Sequence, residues 1–301
     1  MKLTKIIMFL FSLFSLSSCY DDYVDDYAYS ITYFSSQKPL RTVIADRNMT
    51  IKVGVSIGGK RAVDLSDWAK FEIDSTLLVG TTFTLLPEEY YTLSDSNTFR
   101  VSNKNLPIAD VVISFTDAFY ADSNSANKFY ALPFKLTESS LDSINPLLST
   151  SIVAIKYIST FHGAYYLKGT LSELDGTGNV ISEVIYKNPD LSKNLSRDIF
   201  TVSTNTIQRP GLANYLVSAT EAVRMNVIPN NNADKIYPIT IETPAGCLAL
   251  TNTEGTYDAG KAQPEIHLKY DFTKAGKFYR VEETLVLRQD PLKDLRFEEW
   301  N

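Results

Sequence analysis

Alternating apolar and polar side chains limit the fold of this sequence more than any other feature. In "TIKVGVSI", Ile51, Val53, Val55 and Ile57 lie on one side of an extended chain, and polar or small residues lie on the other. This period of two is typical of a half-buried strand. The pattern recurs from "DVVISF" (110–115) to "EIHLKYDF" (265–272), so the sequence predicts an all-β fold.

The spacing of the strands predicts two domains. About eight short strands with turn residues between them occupy residues 29–158, which is typical of an immunoglobulin-like β-sandwich. Residues 159–301 contain longer antiparallel hairpins, such as "GAYYLKGTLSEL" and "VISEVIY" with a glycine-rich turn between them. Pro133 places "FYALPFKL" (129–136) at a sheet edge. Only "PGLANYLVSATEAV" (210–223) suits a helix, and a structured loop is the alternative.

The first residues predict export and lipidation. Residues 1–18 combine two lysines with an apolar core too short to cross a bilayer, which indicates a signal peptide. The run ending at Cys19 resembles the bacterial lipobox, so we expect a membrane anchor on that thiol. The acidic tether, residues 19–28, is similar to the export signals of Bacteroidetes surface lipoproteins. We therefore expect an outer-membrane protein, anchored by lipid and exposed at the cell surface.

Charge and reactive residues exclude several functions. Without residues 1–18 the chain has 27 basic and 35 acidic residues, a balance that argues against binding nucleic acid. The two histidines, His162 and His267, stand far apart, and neither a nucleophile elbow nor a metal-binding pattern accompanies them. We therefore predict no catalytic residue, no metal, no cofactor and no enzymatic activity.

Four segments resemble a known family. "LPEEYYTLSD" and "YALPFKL" are similar to the immunoglobulin-like N-terminal domain of unknown function found in Bacteroidetes surface lipoproteins and before the catalytic barrel of some endoglycosidases. "FHGAYYLKG" and "ETLVLRQDPLKDLRFEEW" resemble a C-terminal domain often paired with it. The resemblance implies a β-sandwich followed by an antiparallel β-barrel-like domain. A lipocalin-like barrel is one version of this second domain. The resemblance also implies a link to polysaccharide utilisation.

We expect the protein to bind glycans and to have the proteins of a surface transport complex as partners. Trp68 is the candidate sugar-stacking ring, and Asp64 and Asp67 the candidate acceptors for sugar hydroxyls. The alternative is a non-enzymatic adhesin or a structural subunit of a surface complex. An aromatic platform would favour glycan binding, whereas a long exposed edge strand would favour the alternative.

Overall fold

The computed structural model describes residues 29–214, 220–230 and 233–301. The signal peptide, Cys19 and the acidic tether lie outside these residues. Within them no helix has the length and apolar character needed to cross a membrane. Strands dominate the described chain, which confirms the predicted all-β fold of a sandwich followed by an antiparallel barrel.

Eleven strands precede residue 159 and ten follow it in the described chain. They are β1 (Ile31–Tyr33), β2 (Pro39–Ile44), β3 (Thr50–Gly58), β4 (Trp68–Ile73), β5 (Thr84–Leu85), β6 (Tyr91–Leu93), β7 (Thr98–Val101), β8 (Ile108–Phe115), β9 (Tyr130–Ser139), β10 (Ser143–Ile144), β11 (Thr150–Ile158), β12 (Gly163–Leu174), β13 (Val180–Tyr186), β14 (Leu195–Thr201), β15 (Thr206–Pro210), β16 (Ala222–Val227), β17 (Ile236–Glu242), β18 (Leu250–Asp258), β19 (Glu265–Lys274), β20 (Lys277–Leu287) and β21 (Glu298–Glu299). The two α-helices are α1 (Asp117–Ala121) and α2 (Pro291–Asp294). Short 3-10 turns lie at Ser75–Leu78, Glu88–Tyr90, Ser123–Ala126, Pro146–Leu148 and Leu191–Lys193.

The first sheet encloses one apolar core. Its main path runs β10-β1-β3-β8-β7-β4-β9-β11-β2-β21, while β5 and β6 pair with β9 and β8. The alternating face of β3 is buried as predicted, and it packs into the same cluster as residues of β8, β4, β9 and β11. Phe71, Phe99 and Phe134 form the centre of this core, with ring centroids 4.4–5.8 Å apart.

Strand β9 is central, so the prediction of an edge strand from Pro133 is wrong. β11 pairs with one side of β9, and β5 and β4 pair with successive parts of the other. The carbonyl of Pro133 accepts a hydrogen bond from the Asp74 amide, so the ring nitrogen also points to that second side. On that side Pro133 lies between Ala131, the last residue of β9 that pairs with β5, and Phe134, the first that pairs with β4. The missing N–H therefore costs no ladder hydrogen bond.

The second sheet closes into an antiparallel barrel of eight strands. β12 and β14 to β20 pair in sequence, and β12 also pairs with β20. The face of β19 predicted to be apolar points inward: Ile266, Leu268, Tyr270 and Phe272 are buried. The remaining strand, β13, pairs with the far end of β12 and extends the sheet beyond the barrel.

The predicted helix over residues 210–223 is wrong where the structure describes it. Pro210 is the last residue of β15, and Ala222 begins β16. Residues 211–214 form turns, and residues 215–219 lie outside the described chain. Pro210 pairs with Ala222, so strand pairing overrides at both ends of this segment a local pattern that suited a helix.

The end of the chain returns to the first sheet. β21 pairs with β2, and the Trp300 indole nitrogen donates a 2.7 Å hydrogen bond to the Ile152 carbonyl. The Arg47 guanidinium forms a bidentate pair with Asp290, with both N–O distances 2.9 Å. Residues placed by prediction in the second domain, 159–301, thus include a strand of the first sheet.

Candidate functional site

The two aspartates predicted to bind sugar are engaged in a local turn. The buried carboxylate of Asp67 accepts hydrogen bonds from the Lys60 ammonium, at 2.8 and 3.0 Å, and from the Asp64 amide, at 2.8 Å. Asp64 is exposed and accepts from the amide and hydroxyl of Ser66, and these bonds lower the pKa of its carboxyl. The contacts that the structure gives both groups therefore shape the entry into β4.

Trp68 begins β4, and its side chain is partly buried. Its amide donates to the Ser140 hydroxyl at 2.9 Å, and the Lys70 ammonium lies 5.5 Å from its ring centroid. The role of Trp68 in sugar binding stays a prediction.

Trp68→Ala is expected to lower the free energy of unfolding by about 2 kcal/mol, because a fully buried Trp costs about 3–5 kcal/mol and this ring is only partly buried. Thermal and denaturant unfolding of the variant measure the loss. We also expect its glycan retention to equal that of the unmodified chain. Unchanged stability together with lost retention would restore Trp68 as the binding residue.

A broad concavity lies on the outside of the barrel. We call it the outer groove, and its wall is the outward face of β12, β20, β19 and β18. One part has a volume of about 710 Å³, and a second part, at the end of the same strands, has a volume of about 450 Å³. The larger part is lined by residues that include Lys168, Thr170, Glu254, Thr256, His267, Lys269, Glu282 and Thr284. The smaller part is lined by residues that include Asn252, Asp271, Phe278 and Arg280.

Strand register makes the two parts continuous. His267 pairs with Thr284, Lys269 with Glu282, and Asp271 with Arg280, each pair two residues further along both strands. Side chains two residues apart share a face of a strand. The inward neighbours Leu268, Tyr270 and Val281 are buried, so these three polar pairs face outward. The groove is thus a ladder of hydrogen-bonding side chains about four strands wide.

The aromatic end of the outer groove comprises Phe278, Arg280, Asp271 and Asn252. The Phe278 side chain is 53% exposed although it belongs to a paired strand. Two residues away, Arg280 donates to both oxygens of Asp271 at 2.9 Å, and the Asn252 amide donates to Asp271 at 2.7 Å. An exposed ring therefore stands beside three connected planar polar groups.

The carboxylate of Asp271 stays ionised in this arrangement. Burial raises its pKa, but the hydrogen bonds from Arg280 and Asn252 more than offset burial and lower the pKa overall. The bond to Asp271 in turn raises the pKa of Arg280. Asn252 reaches Asp271 from a bulge in β18, where its backbone adopts a φ of 48°, a conformation that Asn tolerates better than most residues.

A hydrogen-bonded hairpin turn forms one wall of the aromatic end. Asp175, at the turn between β12 and β13, accepts hydrogen bonds from the Thr177 amide and hydroxyl and from the Asn179 amide, at 2.7–2.9 Å. These bonds lower the pKa of the Asp175 carboxyl to about 2. Gly178 completes the turn with a φ of 89°, which only glycine adopts without strain.

A buried ion pair supports the floor of the groove from inside the barrel. Glu283, which interrupts the apolar face of β20, lies 2.8 Å from the Arg209 guanidinium, and both side chains are fully buried. Tyr270 and Tyr186 donate their hydroxyls to the two carboxylate oxygens, each at 3.1 Å. Burial, followed by the charge of Glu283, raises the pKa of both phenols, so they remain donors.

Each of the two histidines lines a different concavity. His267 lies in the outer groove, with its ring nitrogens 3.2 Å from the Thr284 hydroxyl and 3.4 Å from Glu265. His162 lines a junction cavity of about 300 Å³ between the two sheets and accepts from the Thr201 amide at 3.2 Å. Burial, and then the charge of Lys156, lowers the pKa of His162. The described chain contains no group of three or more residues suited to hold a metal ion.

Reasoning from sequence missed the outer groove. Alternation in β19 shows that Lys269 and Asp271 face away from the core, but many strands carry such residues. The one unusual signal is Phe278, a large apolar side chain in phase with the polar residues Arg280 and Glu282 rather than with the buried Val281.

The comparisons with known proteins support the resemblance seen in the sequence. A family model described as "-like, N-terminal domain" matches residues 23–143. A crystal structure of a protein of unknown function from Bacteroides ovatus has a TM-score of 0.68 and 20% identity, and covers 89% of this chain and 96% of its own. At this identity the likeness establishes the fold alone.

Two further Bacteroides ovatus structures are more distant. A "multidomain protein including DUF1735" has a TM-score of 0.44 and 13% identity, and covers 90% of this chain and 100% of its own. A "putative carbohydrate binding protein" has a TM-score of 0.30 and 12% identity, with 70% and 67% covered. Scores below 0.5 carry no argument about this chain. No curated protein matches it.

Proposed function

We propose, for a chain whose residues 23–143 match this family model of N-terminal domains, that the barrel binds a glycan along its outer groove. The observation that carries the proposal is the aromatic end, where the exposed Phe278 ring stands beside the Arg280–Asp271 pair and Asn252. The apolar C–H face of a sugar ring stacks on an aromatic side chain. Its hydroxyls are bound by planar amides, guanidinium groups and carboxylates.

The shape of the groove suits a chain of several sugars. Its two parts follow the same strands, and their combined opening is long and shallow rather than enclosed. Beyond the aromatic end, successive pairs of charged and hydroxyl side chains offer both donors and acceptors. Such a surface can bind the middle of a polysaccharide and does not require a chain end.

The charge of the groove favours a neutral glycan. Lys168 lies 3.9 Å from Glu265, Lys269 lies 3.9 Å from Glu282, and Arg280 is paired with Asp271. Because these three cations face nearby carboxylates, the groove lacks the concentrated positive charge that a polyanion requires. The described part of the chain also offers no metal cluster to bridge acidic sugars.

The experiment that tests this proposal is retention of the mature chain, produced without its lipid, by a broad panel of immobilised polysaccharides. We expect at least one neutral polysaccharide to retain it, and anionic polymers to retain it no better in low salt than in high salt. If none of these polysaccharides retains a folded preparation, glycan binding is rejected in favour of the alternative, an adhesin or a subunit of a surface complex.

We further propose that the protein works at the outer membrane, held there by lipid on Cys19. The sequence before Cys19 and the acidic residues after it support this proposal. Two or three acyl chains give a stable anchor, since each buried CH₂ contributes about 0.8 kcal/mol.

Cys19→Ala is expected to abolish labelling with radioactive palmitate and to release the folded protein from the membrane fraction. The reason is that the lipid is attached to the sulfur atom of Cys19. A matched control is Cys247→Ala, which should leave labelling and membrane association unchanged. Labelled Cys19→Ala protein that still sediments with outer membranes would contradict the anchor.

A further inference from the structure

The edge strand β13 exposes apolar side chains on both of its faces. Val180, Ile181, Val184 and Ile185 are between 49% and 62% exposed, and six of the seven residues of β13 are exposed. The register with β12 places Glu183 and Ile185 on one face and Val184 on the other, and a bulge at Val180 and Ile181 interrupts the alternation there. An isolated apolar residue on a surface is ordinary, but four in one strand are not.

β13 also has one unpaired main-chain edge in the described structure. It stands at the end of the sheet path and pairs only with β12, from Leu174↔Val180 to Gly169↔Tyr186. The N–H and C=O groups of its other edge form a template for a further strand. Soluble proteins usually block such an edge with lysine or proline, and residues 180–186 contain neither.

We propose that β13 binds an extended strand of a partner protein, which adds to the barrel sheet and carries a lysine or arginine opposite Glu183. The free main-chain edge specifies a strand, because a helix has no unpaired groups along its side to match it. The apolar residues on both faces specify alternating apolar partners. Glu183 specifies the basic residue, because opposite charges directly across a sheet stabilise the pair.

Glu183 also disfavours a second copy of this chain in the register that would pair the two isoleucines. The antiparallel register that places Ile181 opposite Ile185 also places Glu183 opposite Glu183. Like charges at directly opposed positions destabilise a sheet. The Glu183 carboxylate accepts a hydrogen bond from the Ser172 hydroxyl of the neighbouring strand β12, at 3.3 Å, and residue 183 is exposed.

The test uses synthetic ten-residue peptides of alternating valine and threonine that differ only at one central position, which is lysine or glutamate. Fluorescence anisotropy with the purified full-length chain should show the lysine peptide binding on the order of tenfold more tightly than the glutamate peptide. Glu183→Lys should reverse this order. Because the side chain of Glu183 is exposed, the variant is expected to fold normally.

Control variants separate the edge from other apolar surface. Replacing Ile181 and Ile185 with aspartate should abolish binding of both peptides, whereas Leu147→Asp, at an 88% exposed residue of the first domain, should leave binding unchanged. Three results would overturn the proposal: no binding above that of a proline-interrupted peptide, equal binding of both peptides that Glu183→Lys does not alter, or self-association of the unmodified chain that is lost with the two aspartates.

Discussion

Glu283→Ala is expected to lower the free energy of unfolding by about 3–5 kcal/mol, the largest effect of any single substitution considered. The variant leaves the Arg209 guanidinium inside the barrel without the carboxylate that lies 2.8 Å from it. Tyr270 and Tyr186 also lose the acceptor of their hydroxyls. Urea unfolding followed by tryptophan fluorescence and circular dichroism measures the loss.

The matched control replaces both charges. A chain carrying Arg209→Met and Glu283→Leu should unfold within about 2 kcal/mol of the unmodified protein, since an apolar pair of similar size needs no desolvation of charge. The pair would then serve specificity more than stability, by fixing β15, β19 and β20 in one register. A single Glu283→Ala variant as stable as the parent would show that the barrel interior accommodates an unpaired guanidinium.

Phe278→Ala is expected to weaken the affinity for a retained glycan at least tenfold, or about 1.4 kcal/mol. The expectation follows because a few central aromatic side chains supply most of the free energy of binding at a recognition surface. Since Phe278 is 53% exposed, the variant should unfold at nearly the temperature of the parent. Affinity electrophoresis in gels containing the polysaccharide, together with thermal unfolding, measures both quantities.

Phe297→Ala is the matched control for this variant. Phe297 is 61% exposed and lies under the Arg41 guanidinium, which is 4.7 Å from its ring centroid, away from the outer groove. Its replacement should leave retention unchanged. If both phenylalanine variants retain the glycan fully, the outer groove is not the binding surface, even if the protein binds glycans.

Local patterns predicted the strands well because each depends on neighbouring residues. The bounds of β12 and β13 agree with the predicted hairpin segments "GAYYLKGTLSEL" and "VISEVIY". The edge assignment for β9 failed because Pro133 lies between two partners, β5 and β4, that are distant from it in sequence. The rule that proline favours edge strands depends only on the missing N–H donor. It contains no information about a gap between two partner strands.

The candidate site was less predictable for a related reason. Glu283 visibly interrupts an apolar face, yet its partner Arg209 lies 74 residues earlier, in a segment with no sign of a buried charge. Asn252, Asp271 and Arg280 meet only because β18, β19 and β20 are adjacent in one register. Trp68 was the more conspicuous residue in the sequence, but it is partly buried in the fold.

The measurement that tests glycan binding by the outer groove most directly is a crystal structure of the protein with the shortest oligosaccharide that competes for retention. We predict a sugar ring stacked on Phe278, with hydroxyls bonded to Asp271, Arg280 or Asn252 and further sugars toward Lys269. A sugar bound instead beside Trp68, or in the junction cavity near His162, would contradict the account.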